Sequence, residues 1–336
     1  MEFTTQHRIN DYKNFYVDIN KMVTDTEDLS KYYSLKKIAQ GAEGTVYLTR
    51  SEHLQHLILK KVDLIKILKD KSINKKVLNK NPLQIYELFY KIKRNLTMPS
   101  LIECIMYTLT NQLVFQGICP HFGLNYYWEY TSNKLLYYNE YINYSTLFDW
   151  GKKQHSSQEW INIIIQVLMG IISMQRYFKI IHGDLHSLNI FIQKVVSGGY
   201  WKYTIDKKEF LVPNLGWIVI ISDFGFGSIS NKVRIEWYYK DHLKNLSRHE
   251  RHSYDINYLF NDLIKQKIPI YKMLQDTKSN LKNKKYKMIN LLSDYYSYAY
   301  KIDNKHEQHK IIDTYNLNKP LNKNLIPENF RDLIKL

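Results

Sequence analysis

The stretch "IIHGDLHSLNIFI", Ile180 to Ile192, places His182, Asp184, His186, Ser187 and Asn189 between two aliphatic runs. The polar centre reads either as a turn between two apolar elements or as the working part of a site, and its surroundings favour the site. The apolar segment "WINIIIQVLMGIISM", from Trp160, leads into it as a buried helix, and "NIFI" resumes strand character after it. Asp184 and Asn189 lie five positions apart in the loop, so a carboxylate can face a substrate hydroxyl while the amide faces a metal. Downstream, "WIVIISDFGFG" contains a buried strand, Trp217 to Ile221, that delivers Asp223 at its end, and Gly225 allows a sharp turn. Two Asp and an Asn make a hard, oxygen-rich set suited to Mg²⁺ holding phosphates.

Upstream residues supply matching pieces. In "QGAEGTVYL", Gly41 and Gly44 sit between strand-like runs, where their backbone N–H groups could approach a phosphate. In "HLILKKV", alternation turns one of Lys60 and Lys61 inward, and a buried ammonium requires an anionic partner. If Ile58 lies on the ligand face, Lys60 shares it. Glu103 is the only acid in "SLIECIMYTLTNQL" and is the preferred partner, with Glu87 in "IYELFY" as the competitor. No GxxxxGK[ST] pattern is present, which disfavours a P-loop nucleotidase.

The chain has 336 residues, enough for one large domain or two lobes. A net charge of +16 would attract nucleic acid, an anionic membrane or an acidic protein, but no nucleic-acid motif accompanies it. Two cysteines, Cys104 and Cys119, are too few for a disulfide framework or a thiolate zinc site and fit a reducing compartment. The segment "MEFTTQHRIN" lacks the apolar run of a signal peptide, and the segment from Trp160 is too short and polar to span a bilayer. A soluble, cytoplasmic protein without a membrane span is expected.

Residues 1–30 are polar and poorly periodic and are expected to form an extension. Short strands follow from Tyr33 to Val62, a helix from Pro99 to Phe115, and further strands around "FGLNYYWEYT" and "KLLYYNEYI". After Tyr144 helices dominate, Gln158–Phe178 being the strongest. This order predicts an α+β protein with a small β-rich lobe holding one main helix, residues 31–143, and a larger, mainly helical lobe, residues 144–336.

Taken in order, the glycine hairpin, strand Lys, helix Glu, HxDxxxxN loop and DFG resemble the protein-kinase-like superfamily from about Tyr33 to Ile264. "NEYINYSTLFDW" resembles that family's hinge, and "YDINYLFNDLI" resembles the helix that anchors the catalytic loop through Asp255. From Asn189 to Asp223 is 223 − 189 = 34 positions, filled by what reads as an extra hairpin with a turn at Lys207–Lys208. That interval, "GICPHF" and the Pro-Asn-x-Gly before DFG are similar to the divergent serine/threonine kinases of large DNA viruses.

The resemblance implies a bilobal kinase-like fold that transfers the γ-phosphate of ATP to a protein hydroxyl. It implies Asp184 at the attacking hydroxyl, Asn189 and Asp223 on Mg²⁺, and Lys60, held by Glu103, on the phosphates. Gly41 and Gly44 would cover the triphosphate, the hinge at Glu140 and Ile142 would bind adenine, and Val46, Ile58 and Phe191 would wall it. A viral kinase would work in host cytoplasm or be carried in the virion. Three departures stand out: Ala39 replaces the first loop glycine, Gly183 the Arg before the catalytic Asp, and His186 the Lys two positions after it. Gly183 implies activity independent of activation-loop phosphorylation, while His186 could bond the γ-phosphate. "HGDLH" also occurs in small-molecule phosphotransferases, but the Lys-rich residues 265–310 suit acidic protein substrates better than cationic small acceptors. A pseudokinase scaffold ranks last, because all the polar positions are filled.

Overall fold

The run "LILKKVD" shows how the N-terminal region is assembled: Leu57 and Leu59 are buried on one face, while Ile58 and Lys60 stay partly open on the other. This strand, β3 (Leu57–Asp63), lies in a five-stranded antiparallel sheet with β1 (Lys36–Gln40), β2 (Gly44–Thr49), β4 (Asn125–Thr131) and β5 (Lys134–Asn139). The spatial order is β1-β2-β3-β5-β4. The computed structural model describes residues 5–22, 35–40, 44–50, 56–63, 83–84, 86–87, 99–131, 134–143, 145–229, 232–283, 287–299 and 310–331.

Helix α2 (Pro99–Phe115) precedes β4 and is buried along nearly its whole length, as its apolar composition requires. Residues 1–30, expected as an extension, instead contain helix α1 (Thr5–Met22). Its Tyr12 ring packs 4.6 Å from Phe115, and Phe15 contacts Tyr126 and Tyr138. The pattern is hard to read because the buried face includes Arg8, a charged residue whose partners are far away in sequence.

The C-terminal part begins with β6 (Ser145–Thr146) and α3 (Leu147–Gly151). Helix α4 (Ser157–Phe178) follows, with a capping box between Ser156 and Glu159 at its start and left-handed Lys179 at its end. Among the described residues, α4 alone has the length and hydropathy of a membrane-crossing helix, yet 83% of its most apolar window is buried inside the protein. It is the central core helix.

From α4 the chain enters β7 (Ile180–Ile181), the polar loop, and β8 (Ile190–Lys194). The interval before Asp223 folds as the expected hairpin, β9 (Tyr200–Ile205) and β10 (Lys208–Pro213). Its turn falls one residue earlier than predicted, at Asp206–Lys207, both with positive φ. β11 (Trp217–Ile221) pairs with β8, which also pairs with β6, and β12 (Ser228–Ile229) pairs with β7. Helices α5 (Arg248–Lys265), α6 (Tyr271–Leu281) and α7 (Met288–Ala299) complete the helical layer. Periodicity after Ile264 gave only helices, whereas β13 (Ile311–Asn316) joins β9 in parallel and makes the hairpin a three-stranded sheet. Its neighbour β9 is more than a hundred residues earlier, so no local pattern announces the pairing.

Candidate active site

Lys60 Nζ lies 2.6 Å from Glu103 Oε2, which joins β3 to the inner helix α2. The alternation problem is thereby settled: Lys60 meets the buried carboxylate, Lys61 lies over the Tyr47 ring, and Glu87 is exposed. Tyr137 on β5 donates to the same Glu103 oxygen at 2.5 Å, and its ring lies beneath the ammonium. Burial raises the Glu103 pKa, with Lys60 opposing the shift and the nearby charge of Asp223 adding to it. Asp223 is therefore close enough to act on the pair electrostatically.

Asp223 leaves β11 with a φ of 62°, strained for a residue with a side chain. The preceding residue fixes its place: Ser222 N–H donates to Asn189 O, Ser222 O bonds His182 Nε2, and Ser222 Oγ meets Tyr107 OH at 2.6 Å. Asn189 Nδ2 donates to Asp184 O at 2.9 Å, which leaves the amide oxygen as the acceptor end. Asp184, Asn189 and Asp223 are thus tied into one backbone arrangement.

Gly183, with a φ of 86°, precedes Asp184, and a Cβ on it would sit 2.3 Å from Phe226 O. No Arg fits this backbone. Asp184 and His186 face each other, with Nε2 3.5 Å from Oδ2. The hydrogen bond and charge of Asp184 raise the His186 pKa against its partial burial. For Asp184, burial acts to raise the pKa, but His186 and Tyr258 outweigh it and hold the carboxyl below its ordinary value.

Helix α5 grips this loop with one stripe of side chains. Asp255, fully buried, accepts the N–H groups of His182 at 2.9 Å and Gly183 at 3.0 Å. Three residues on, Tyr258 favours the ionised Asp184 carboxylate; seven on, Asp262 accepts the N–H of Ser187 at 2.8 Å. The spacing i, i+3, i+7 is one face of a helix. Asp255 matches the expected anchor, but the sequence reading missed Tyr258 and Asp262. Their signal was present in "DINYLFND", where polar residues recur at helical spacing in an otherwise amphipathic run.

Of the other proposed contacts, Val46 pairs directly with Lys60, and Val46, Ile58 and Phe191 are all half-buried. Gly44 lies against β3 so closely that a Cβ would come 2.1 Å from Lys61 O, so strand packing by itself requires glycine there. Gly41 lies outside the described residues. At the hinge, the N–H of Glu140 is taken by Leu124 O, and Ile142 is half-buried. The Glu140 side chain turns inward: Arg8 of α1 holds both its oxygens at 2.7 Å and also donates to the carbonyls of Pro120 and Phe122. No sequence signal links Arg8 to Glu140.

Comparison with known proteins now adds to this geometry. A protein of Acanthamoeba polyphaga mimivirus, provisionally named a serine/threonine-protein kinase, is 27% identical over 143 residues, covering 38% of this chain and 30% of its own length. A Frog virus 3 protein with the same provisional name is 33% identical over 72 residues, covering 21% of this chain and 8% of its own. The chain resembles the divergent kinase-like proteins of large DNA viruses. An uncharacterised protein of Invertebrate iridescent virus 3 is 24% identical over 150 residues, which are 38% of this chain and 20% of that protein. The chain thus spans less than a third of the length of each of these relatives. No protein-family model matches.

Proposed function

We propose that the chain is a virus-encoded, ATP- and Mg²⁺-dependent protein kinase acting on Ser or Thr. In this reading residues 31–143 and 144–336 are the two lobes of a kinase-like fold, with the nucleotide between them. The Lys60–Glu103 pair carries the proposal: a half-open ammonium fixed by a buried carboxylate is oriented to receive phosphate oxygens. Asp223, whose charge reaches Glu103, belongs to the same charged neighbourhood.

The substrate hydroxyl would attack the γ-phosphorus in line as the bond to the β,γ-bridging oxygen breaks and ADP departs. Asp184, kept ionised by His186 and Tyr258, would orient the hydroxyl and take its proton. His186, favoured as the cation by Asp184, would offer its positive charge to the transferring group. The amide oxygen of Asn189 and the carboxylate of Asp223 fit Mg²⁺, which takes few protein oxygens and fills the rest of its shell with phosphate and water. When bound, the ion would neutralise phosphate charge. A cavity of about 380 Å³ lined by His186, Ser187, Tyr258, Asp262 and Lys265 lies beside the loop that carries Asp184. The Lys-rich surface after residue 265 fits an acidic protein substrate.

The test is transfer of labelled phosphate from ATP·Mg²⁺ to a protein mixture by the wild type, Asp184→Ala and Asp223→Ala. Transfer to protein by the wild type alone is the expected result. Transfer only to small molecules would replace protein as the acceptor, and absence of transfer with all three proteins would overturn the reading.

A further inference from the structure

Beside the β7–β12 pair, with Ile181 and Ser228 in its lining, is a cavity of about 460 Å³. Lys179, at the end of α4, faces Arg248, Arg251 and His252 of the first turns of α5 across it, and Ile181 and Leu246 supply apolar wall. No Asp or Glu lines it among the described residues. The neighbouring cavity, about 710 Å³, shares Lys179, Arg248 and His252 and adds one carboxylate, Asp206, which Arg176 already holds.

Cations gathered without counter-charge repel one another, and the effect registers at His252: burial, Arg248, Lys179 and His249 all lower its pKa. Arg251 gives one bond from Nη2 to Lys244 O, while its Nε is shielded from water and has no hydrogen-bond partner among the described residues. A buried unused donor beside two further cations calls for a compact anion of more than one charge. Guanidinium groups favour phosphate oxygens, and the apolar wall suits a short carbon stem.

We propose that this cavity binds a phosphoseryl or phosphothreonyl side chain of a partner protein. Two connections reach the active site from here: Ile181 pairs with Ser228 in β7–β12 just before the loop, and α5 carries Asp255 four residues beyond Arg251. A protein already phosphorylated at one residue could thus be held by that phosphate on the C-terminal part. The site uses none of Lys60, Asp184 or Asp223, so binding can be measured without turnover.

The experiment is calorimetric titration of the full chain with a short phosphoserine peptide, its unphosphorylated form, inorganic phosphate and a single-stranded oligonucleotide, at matched ionic strength. Only the phosphopeptide should bind saturably with an affinity above that of inorganic phosphate. Arg248→Gln, on the exposed rim, should weaken it by about tenfold, the scale of one charge-assisted hydrogen bond. Arg251→Gln should do the same, and both variants should keep the wild-type melting profile; Asp184→Ala should bind as the wild type does. Four results would overturn the proposal: equal binding of the unphosphorylated peptide, binding of phosphate as tight as the phosphopeptide, displacement by lower concentrations of oligonucleotide, or unchanged affinity in Arg248→Gln. Because Asp184→Ala is included, loss of this site and loss of catalysis give separate outcomes.

Discussion

Asp184 and His186 shift each other's protonation in opposite directions, and the consequence is measurable. The Asp184 pKa is lowered from an ordinary 3.8, so its contribution to stability is present above that value and is lost as pH falls through the lowered one. His186 is raised from an ordinary 6.5, so its contribution is complete below 6.5 and is lost as pH rises through the raised value. The pair is strongest between these limits. Titration of the His186 ring by NMR should give a midpoint above 6.5 that falls back in Asp184→Asn; a midpoint unmoved by that substitution would show that the two do not interact. The sequence was sufficient to single out both residues, but not their mutual effect, which depends on the 3.5 Å separation the folded loop gives them. Gly183 itself read as a missing Arg. In the structure it is a backbone necessity, because Phe226 O occupies the space of any side chain.

At the level of elements, α5 holds the loop after β7 through Asp255 and Asp262, and its Tyr258 favours the charged form of Asp184. Tyr258→Phe should remove the hydroxyl that favours the charged Asp184, lowering kcat by about two- to tenfold with little change in KM. The melting profile should stay constant, because Tyr258 is 37% exposed; equal losses of kcat and of stability would make it structural only. Helix α1 has the opposite character. Arg8→Met would strand Glu140 in a buried setting and should cost about 3–5 kcal/mol in denaturant unfolding. The double variant Arg8→Met, Glu140→Gln should recover a large part of that loss, and simple additivity would disprove the coupling. The strands and helices with regular periodicity, such as Pro99–Phe115 and Trp217–Ile221, were legible because local pattern and burial agree. Helix α1 and strand β13 were not, because their partners lie far along the chain.

For the whole molecule, the described residues between β12 and α5, 232–247, are held by contacts to the protein's own groups. Tyr238 donates to Gly183 O and meets Tyr254, while Arg234 bonds Glu236 and lies over the Tyr239 ring. No phosphate is required by this arrangement. Phosphatase treatment of the purified protein, verified by mass spectrometry, should therefore leave the rate of phosphate transfer unchanged, and a large loss would sink the idea. The order of elements was readable as a whole because each motif is local. The cationic cavity was not, since Lys179 and Arg251 become neighbours only when α4 and α5 pack together.

Thr5 N–H donates to Asp313 Oδ2, and Thr5 Oγ1 meets Tyr315 OH, contacts that close a loop of 308 and 310 residues. During synthesis, α1 leaves the ribosome well before β13, and these two anchors do not exist until β13 has emerged. Arg8 can meet Glu140 much earlier, so the order of synthesis would let the Glu140 contact form before the strand contacts. A chain stalled before residue 313 would carry the complete set of Lys60, Asp184 and Asp223 with the start of α1 still untethered. The order of synthesis, rather than any ligand, would then set when α1 and β13 join.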